Sequence, residues 1–179
     1  MTLSAGEDVE TELVKRLQGV QRLAVVGIGD ELHPADRLGI LAARAIEAMV
    51  LPGVHVFLAG TVPESMTAPI RRYGPDHILL LDAAEMGRPP GTFAVLGADA
   101  VQGMRLSTHA LPLTVMMDYL EKDVGSRVTL VGIQPDTSGA RTEPTPVEMH
   151  AISRLVTCIR RSRSAPSSHE PPSIPKGDE

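Results

Sequence analysis

The chain has one cysteine, Cys158, no tryptophan, and only two phenylalanines and two tyrosines in 179 residues. A single cysteine closes no intrachain disulfide and supplies no cysteine-rich zinc or iron–sulfur site, which excludes a stapled secreted scaffold and points to a reducing compartment. Aromatics at 2% and a formal net charge of −5 leave neither the stacking platforms nor the basic excess with which proteins track nucleic acid. No apolar run approaches the roughly 18 residues of a membrane helix. The N-terminal MTLSAGEDVETELVKRLQ carries acids where a signal peptide has its apolar core. The expectation is a cytoplasmic protein that enters neither membrane nor nucleic-acid complexes.

What is present is aliphatic: 42% of residues are hydrophobic and 22% charged, enough for one sizeable core. Val9, Leu13 and Leu17 share one helical stripe over residues 8–17, so residues 1–21 read as a helical lead-in that serves packing. LAVVGIG at 23–29 is a strand ending in glycines, followed by a loop and an alanine-rich helix over 38–50. A strand over 54–58, a helix over 63–73 and a strand over 77–82 follow. The uninterrupted ILLL of the last strand implies burial on both faces. An edge strand at 92–96, a helix over 111–122 with Pro112 in its first turn, a strand over 127–133 and a closing helix over 143–159 complete residues 22–160. Strands alternating with helices predict one α/β domain, a mostly parallel twisted sheet between two helical layers. From about Arg160 the sequence turns to Pro, Ser and charge, and 161–179 reads as a disordered tail, its Arg160–Arg163 cluster a solvated helix terminus.

The residues able to carry chemistry cluster after strands. Gly27-Ile-Gly29 resembles the start of a dinucleotide turn, but the third glycine falls at Leu32 and acids fill the loop, so a structural turn is the better reading. Asp30, Glu31, His33 and Asp36 lie on the loop after the first strand, where open α/β sheets place their ligand sites. Asp36 immediately precedes a helix and reads as an N-cap or as a metal ligand. Asp82 follows ILLL and reads as a turn former or a site acid, and His109 precedes a helix as a capping or a site residue. Two carboxylates and one imidazole at one sheet edge suit an open site for a borderline divalent cation. Cys158 lies among Leu155, Val156 and Ile159 and reads as a buried structural thiol.

Four blocks then carry a family resemblance from about Leu23 to Ile159. They are VGIGDEL with Asp36 before the helix, LLLDAAEMG with Pro90-Gly91, STHALPL, and VGIQP ending at Pro135. Together they resemble the hydrogenase maturation proteases, in the branch that serves formate-hydrogenlyase-type hydrogenases. The resemblance implies an endopeptidase that removes the C-terminal extension of the nickel–iron hydrogenase large-subunit precursor after nickel insertion. It implies metal binding by Asp36, Asp82 and His109; catalysis is expected of Asp36 and Asp82, and on the same loop His33 is expected to line the substrate entrance and Asp30 to bond the turn beside it. The nickel in that picture is carried by the precursor, and the triad acts as a checkpoint for it.

The chain departs from the family pattern at Asp30, where Asn is usual, at Ala35-Asp36-Arg37, where an acidic pair precedes a small residue, and at Ala59-Gly60-Thr61, where the family has Asp-Gly-Gly. Arg37 sets a cation beside Asp36, and pairing between them would weaken metal affinity. These departures motivate a second reading, a non-catalytic assembly factor that recognises the nickel-loaded precursor. Gly27-x-Gly29 alone motivates a third, a small nucleotide- or flavin-binding protein. The polar segment from Gln134 to Pro146 follows a strand and reads as a border of the same cleft or as a solvent loop.

Overall fold

The computed structural model describes residues 7–97, 105–106 and 110–164. In chain order the elements are α1 (Glu7–Leu17), β1 (Leu23–Ile28), α2 (Leu38–Glu47), β2 (Val54–Gly60), a 3-10 turn (Pro63–Met66), α3 (Thr67–Tyr73), β3 (His77–Glu85), β4 (Phe93–Leu96), β5 (Arg105–Leu106), α4 (Ala110–Asp123), β6 (Arg127–Ile133) and α5 (Pro146–Ser164). The main sheet runs β2-β1-β3-β6-β4, and all its pairings are parallel except that of β4 with β6. The short β5 pairs antiparallel with the far end of β3, Ala84 opposite Leu106 and Glu85 opposite Arg105. This is the α/β domain the alternation of strands and helices predicts.

Side-chain alternation divides the core in two. Leu23 and Val25 of β1 and Leu79, Leu81 and Ala83 of β3 face α1, α2 and α5. Ala24, Val26 and Ile28, with Ile78, Leu80 and Ala84, face α3 and α4. The central strands are buried on both faces, which is why they read as continuous apolar runs. Each leucine or isoleucine so buried contributes roughly 1.5–3 kcal/mol.

The lead-in helix is part of this core: Leu13 and Leu17 are fully buried against α2 and α5. Arg154 of α5 donates to Glu10 at 2.6 Å and clamps α1 to α5. Residues 161–164, expected in the tail, form the last turn of α5. Arg163 there donates to the carbonyls of Val20, Gln21 and Pro52, the last two at 3.2 and 2.9 Å. Composition misplaces this end because arginine reads as solvated surface, whereas here it caps carbonyls left at the N-terminal edge of the sheet. The rest of the expected tail lies outside the described residues. Among the described residues no helix is long and apolar enough to cross a membrane.

The chain leaves β1 toward β2 on one side and returns to β3 on the other. The strand order therefore reverses between β1 and β3, and in open α/β sheets the crevice at the carboxyl ends of such a strand pair is where ligands bind. Asp36 follows β1, and Asp82 lies within β3.

Candidate functional site

The loop after β1 is built around its own acids. Gly29 has φ +136°, and a Cβ there would stand 2.0 Å from the Asp36 carbonyl oxygen, so only glycine lets the loop fold back on itself. Asp36 Oδ2 accepts the backbone N–H of Asp30 at 3.0 Å and closes the loop. Asp30 Oδ1 accepts the Leu32 N–H at 2.8 Å, and Oδ2 lies 2.7 Å from Nδ1 of the exposed His33. The Leu32 amide, followed by His33, holds the Asp30 carboxyl below its ordinary range. Burial, against the Asp30 amide bond, pushes Asp36 up.

Two expectations for this loop are corrected. Asp36 is not the N-cap of α2: Arg37 occupies that position and caps without its side chain, while the Asp36 carboxylate turns back to Asp30. Arg37 does not pair with Asp36. Its Nη2 donates to the Thr142 carbonyl at 2.6 Å and to Glu143 Oε2 at 2.8 Å, so the guanidinium is drawn away to another segment. The residues Asp36 does answer to are Asp30 and His33. The glycines act structurally, as their sequence context indicates. Gly27 lets Ala43 of α2 approach, and Gly29 serves the loop closure.

Asp82 belongs to a strand and not to a turn, because β3 continues to Glu85. It is fully buried and stands opposite Gly132 of β6. Its neighbours Leu79, Leu80, Leu81, Ala83 and Ala84 are all core residues. Burying a carboxylate costs several kcal/mol before its surroundings repay any of it, so packing alone does not account for an acid here. His109 lies outside the described residues, in the stretch between β5, which pairs with the end of β3 just past Asp82, and the start of α4. Among the described residues no three His, Cys, Asp or Glu side chains group to hold a metal ion, and a triad with Asp36 and Asp82 draws its third member from outside them.

The segment after β6 borders the same edge. Gln134 Oε1 accepts the N–H of Met86 at 2.7 Å and of Arg88 at 3.3 Å, fixing the exit of β3. The fully buried Glu148 of α5 accepts the N–H of Asp136 at 2.7 Å, the N–H and hydroxyl of Thr145 at 2.6 and 2.9 Å, and the Arg141 guanidinium. Burial alone would raise the Glu148 carboxyl, but Arg141 and these donors outweigh it and hold it low. Cys158 is fully buried, and burial pushes its thiol up, as befits an inert structural cysteine.

The profile of the hydrogenase maturation protease family matches residues 41–161, a span that includes Asp82 and His109 and begins just after Asp36. The chain belongs to this family. Hydrogenase 3 maturation protease of Escherichia coli K12 is 33% identical over 113 residues, 63% of this chain and 72% of the relative. The crystal structure of the NiFe hydrogenase maturation protease HycI from Thermococcus kodakarensis superposes with a TM-score of 0.75 at 29% identity, covering 86% of this chain and 99% of the other. The solution structure of the endopeptidase HycI from Escherichia coli gives 0.65 at 27% identity, over 76% and 87%. The protein is thus a peptidase, a processing protease of hydrogenase maturation.

In this protease, sequence reasoning misses Gln134, Arg141 and Glu148 as the residues that fix the cleft border. Gln134 had no signal beyond its place between a buried strand and Pro135, because the Met86 and Arg88 amides it accepts lie more than forty residues away. Arg141 and Glu148 had only their opposite charges, and charges in a loop and a helix first turn read as solvated.

Proposed function

We propose that the protease removes the C-terminal extension of the nickel–iron hydrogenase large-subunit precursor once nickel has been inserted, and that Asp36, Asp82 and His109 dock on that nickel. The observation that carries the reading is the placement of two acids at the β1–β3 switch point, one of them, Asp82, fully buried in a strand that packing would fill with an apolar residue. Carboxylate oxygens and an imidazole nitrogen are suitable donors for a borderline cation and leave positions for the ligands it already has. Here the metal is part of the substrate, so processing waits for its insertion.

The chemistry asked of the chain is hydrolysis of one peptide bond. A carboxylate of Asp36 or Asp82 takes a proton from a water as its oxygen attacks the scissile carbonyl carbon. The C–N bond then breaks, and that proton passes to the leaving amine. Asp30 and His33, paired at 2.7 Å on the rim, contact the precursor chain beside the cleft. The precursor is the partner, and the reaction takes place in the cytoplasm.

The deciding experiment is the intact mass of an unprocessed large-subunit precursor, nickel-loaded or nickel-free, after incubation with the protease. The expected result is loss of a C-terminal peptide from the loaded form only, abolished by Asp82→Asn. Cleavage of both forms alike would remove the nickel checkpoint. Binding of the loaded precursor with no change in mass would install the assembly-factor reading instead.

A further inference from the structure

Arg37 joins two segments of the carboxyl edge that are over a hundred residues apart in sequence. One is the loop closed by Asp36 Oδ2 on the Asp30 amide, and the other is the 134–145 segment. Among the described residues, the hydrogen bonds between these two segments all come from Arg37, at 2.6 Å to the Thr142 carbonyl and 2.8 Å to Glu143. The Arg37 side chain is 17% exposed and that of Glu143 80%, so the half-sheltered bond to the carbonyl is the durable part of the link and the ion pair the weak part.

The 134–145 segment is held at its ends by other means. Gln134 fixes its start to the β3 exit, and Glu148 gathers Asp136, Arg141 and Thr145. Arg37 supplies the attachment on the Asp36 side, and its own main chain is set by the bond of its N–H to the His33 carbonyl at 3.1 Å. What is held in place is Pro135 to Thr145, a run of hydroxyls, charged groups and backbone with no large apolar side chain. Such a surface suits an extended polypeptide better than an apolar ligand.

We propose that Arg37 is a positioning residue for substrate recognition, holding the 134–145 segment against the Asp36 loop as a fixed wall along which the extended C-terminal segment of the precursor is laid. The proposal rests on the processing reading above and names the part of the protein that reads the chain around the scissile bond. A wall ordered in advance spares the precursor the ordering cost at binding, so its loss appears in KM and not in the chemical step.

The test compares Arg37→Ala, Arg37→Lys and, as control, Arg44→Ala. Arg44 also joins α2 to the Asp36 loop, through an exposed pair with Glu31 at 2.8 Å, but does not reach the 134–145 segment. Three quantities are read: amide hydrogen exchange over 136–145, KM and kcat on the nickel-loaded precursor, and precursor binding recorded before cleavage sets in. Arg37→Ala should speed exchange of those amides and weaken KM and binding by about tenfold, the effect of one lost charge-assisted hydrogen bond. It should leave kcat within about twofold. Arg37→Lys, which keeps the charge and one reach to the carbonyl but not the fork, should recover much of the loss, and Arg44→Ala should match the parent.

Unchanged exchange in Arg37→Ala, a fall in kcat with KM unmoved, or an equal loss in Arg44→Ala would each overturn the proposal. If the parent protein leaves the loaded precursor intact, the processing reading has failed, and the wall is judged on exchange and binding alone. Arg37→Ala must still weaken binding for the wall to stand.

Discussion

Gly39 lies against the carbonyl oxygen of Leu81: a Cβ built on Gly39 would stand 2.2 Å from that oxygen and 2.4 Å from the carbonyl oxygen of Ile28. The first turn of α2 thus seats directly on the ends of β1 and β3, one residue before Asp82. This contact helps fix the Asp36 loop relative to the strand that carries Asp82.

Gly39→Ala is accordingly expected to push α2 off the sheet. Both oxygens are backbone carbonyls and not the ends of flexible side chains, so the strain falls on the backbone, and overpacking of this kind costs about 1–3 kcal/mol. For a chain of this size that lowers Tm by roughly 2–4 °C per kcal/mol. Processing should fall further than the loss of stability explains, because the substitution separates the acids. Calorimetry and precursor cleavage on the same preparation check this, and an unchanged Tm would show that α2 is not so closely seated.

The fold was legible because the central strands declare themselves: ILLL and LAVV are buried on both faces, and the helices between them force parallel pairing. The placement of Asp36 after the first strand was legible for the same reason, whereas Asp82 reads as a strand end because the run of large aliphatics stops there, although β3 continues through small Ala83 and Ala84 to Glu85. Side-chain direction was not legible. Asp36 reads as a cap from its place before α2, yet across the tight turn at Gly29 its carboxylate accepts the Asp30 amide instead. Arg37 reads as the partner of Asp36, yet a carbonyl and a carboxylate from residues 142–143 win it, and contacts over a hundred residues apart leave no trace in local pattern. The fully buried Glu148 is hidden for a related reason, since its partners are assembled only when the loop folds.

Glu148 should be the most costly polar residue to lose outside the acids of the site. Removing one partner of a buried pair costs about 3–5 kcal/mol because the other charge is left behind. Arg141→Ala should therefore destabilise more than Glu148→Gln, which retains an acceptor for the Asp136 and Thr145 amides. The folded carboxyl is held below its ordinary value, so its contribution is present above the unfolded pKa and is lost as pH falls through the folded one. Denaturant midpoints at neutral and acid pH should converge for Glu148→Gln and the parent at the acid end.

A second acid sensitivity comes from the opposite edge of the sheet. His77 is buried, its Nε2 lies 2.9 Å from Thr129 Oγ1, and its Nδ1 has no partner among the described residues. Burial first, then Arg127 and Arg16, lowers its pKa from 6.5 to about 4. The unfolded chain therefore binds a proton between pH 6.5 and about 4 that the folded chain refuses. Stability is full above pH 6.5 and falls on acidification through that window, by on the order of 2–3 kcal/mol. His77→Gln should flatten this part of the pH profile, and a profile unchanged from the parent would assign the sensitivity elsewhere.

Asp36 offers the sharpest separation of structure from function. Its carboxylate does one structural task, accepting the Asp30 amide, which an asparagine oxygen can also perform. Burial raises its pKa, so the negative charge itself costs stability at neutral pH. Asp36→Asn should hence be folded with a Tm equal to or above that of the parent at pH 7, while losing the anionic oxygen proposed to dock on nickel and, on that proposal, precursor processing. Asp36→Ala should lose processing too, but also the loop closure, at about 0.5–1.5 kcal/mol. A cleavage assay and a melting curve on both variants distinguish the roles. Retained processing by Asp36→Asn would leave Asp36 a loop-closing residue and pass the docking to the other acids of the edge.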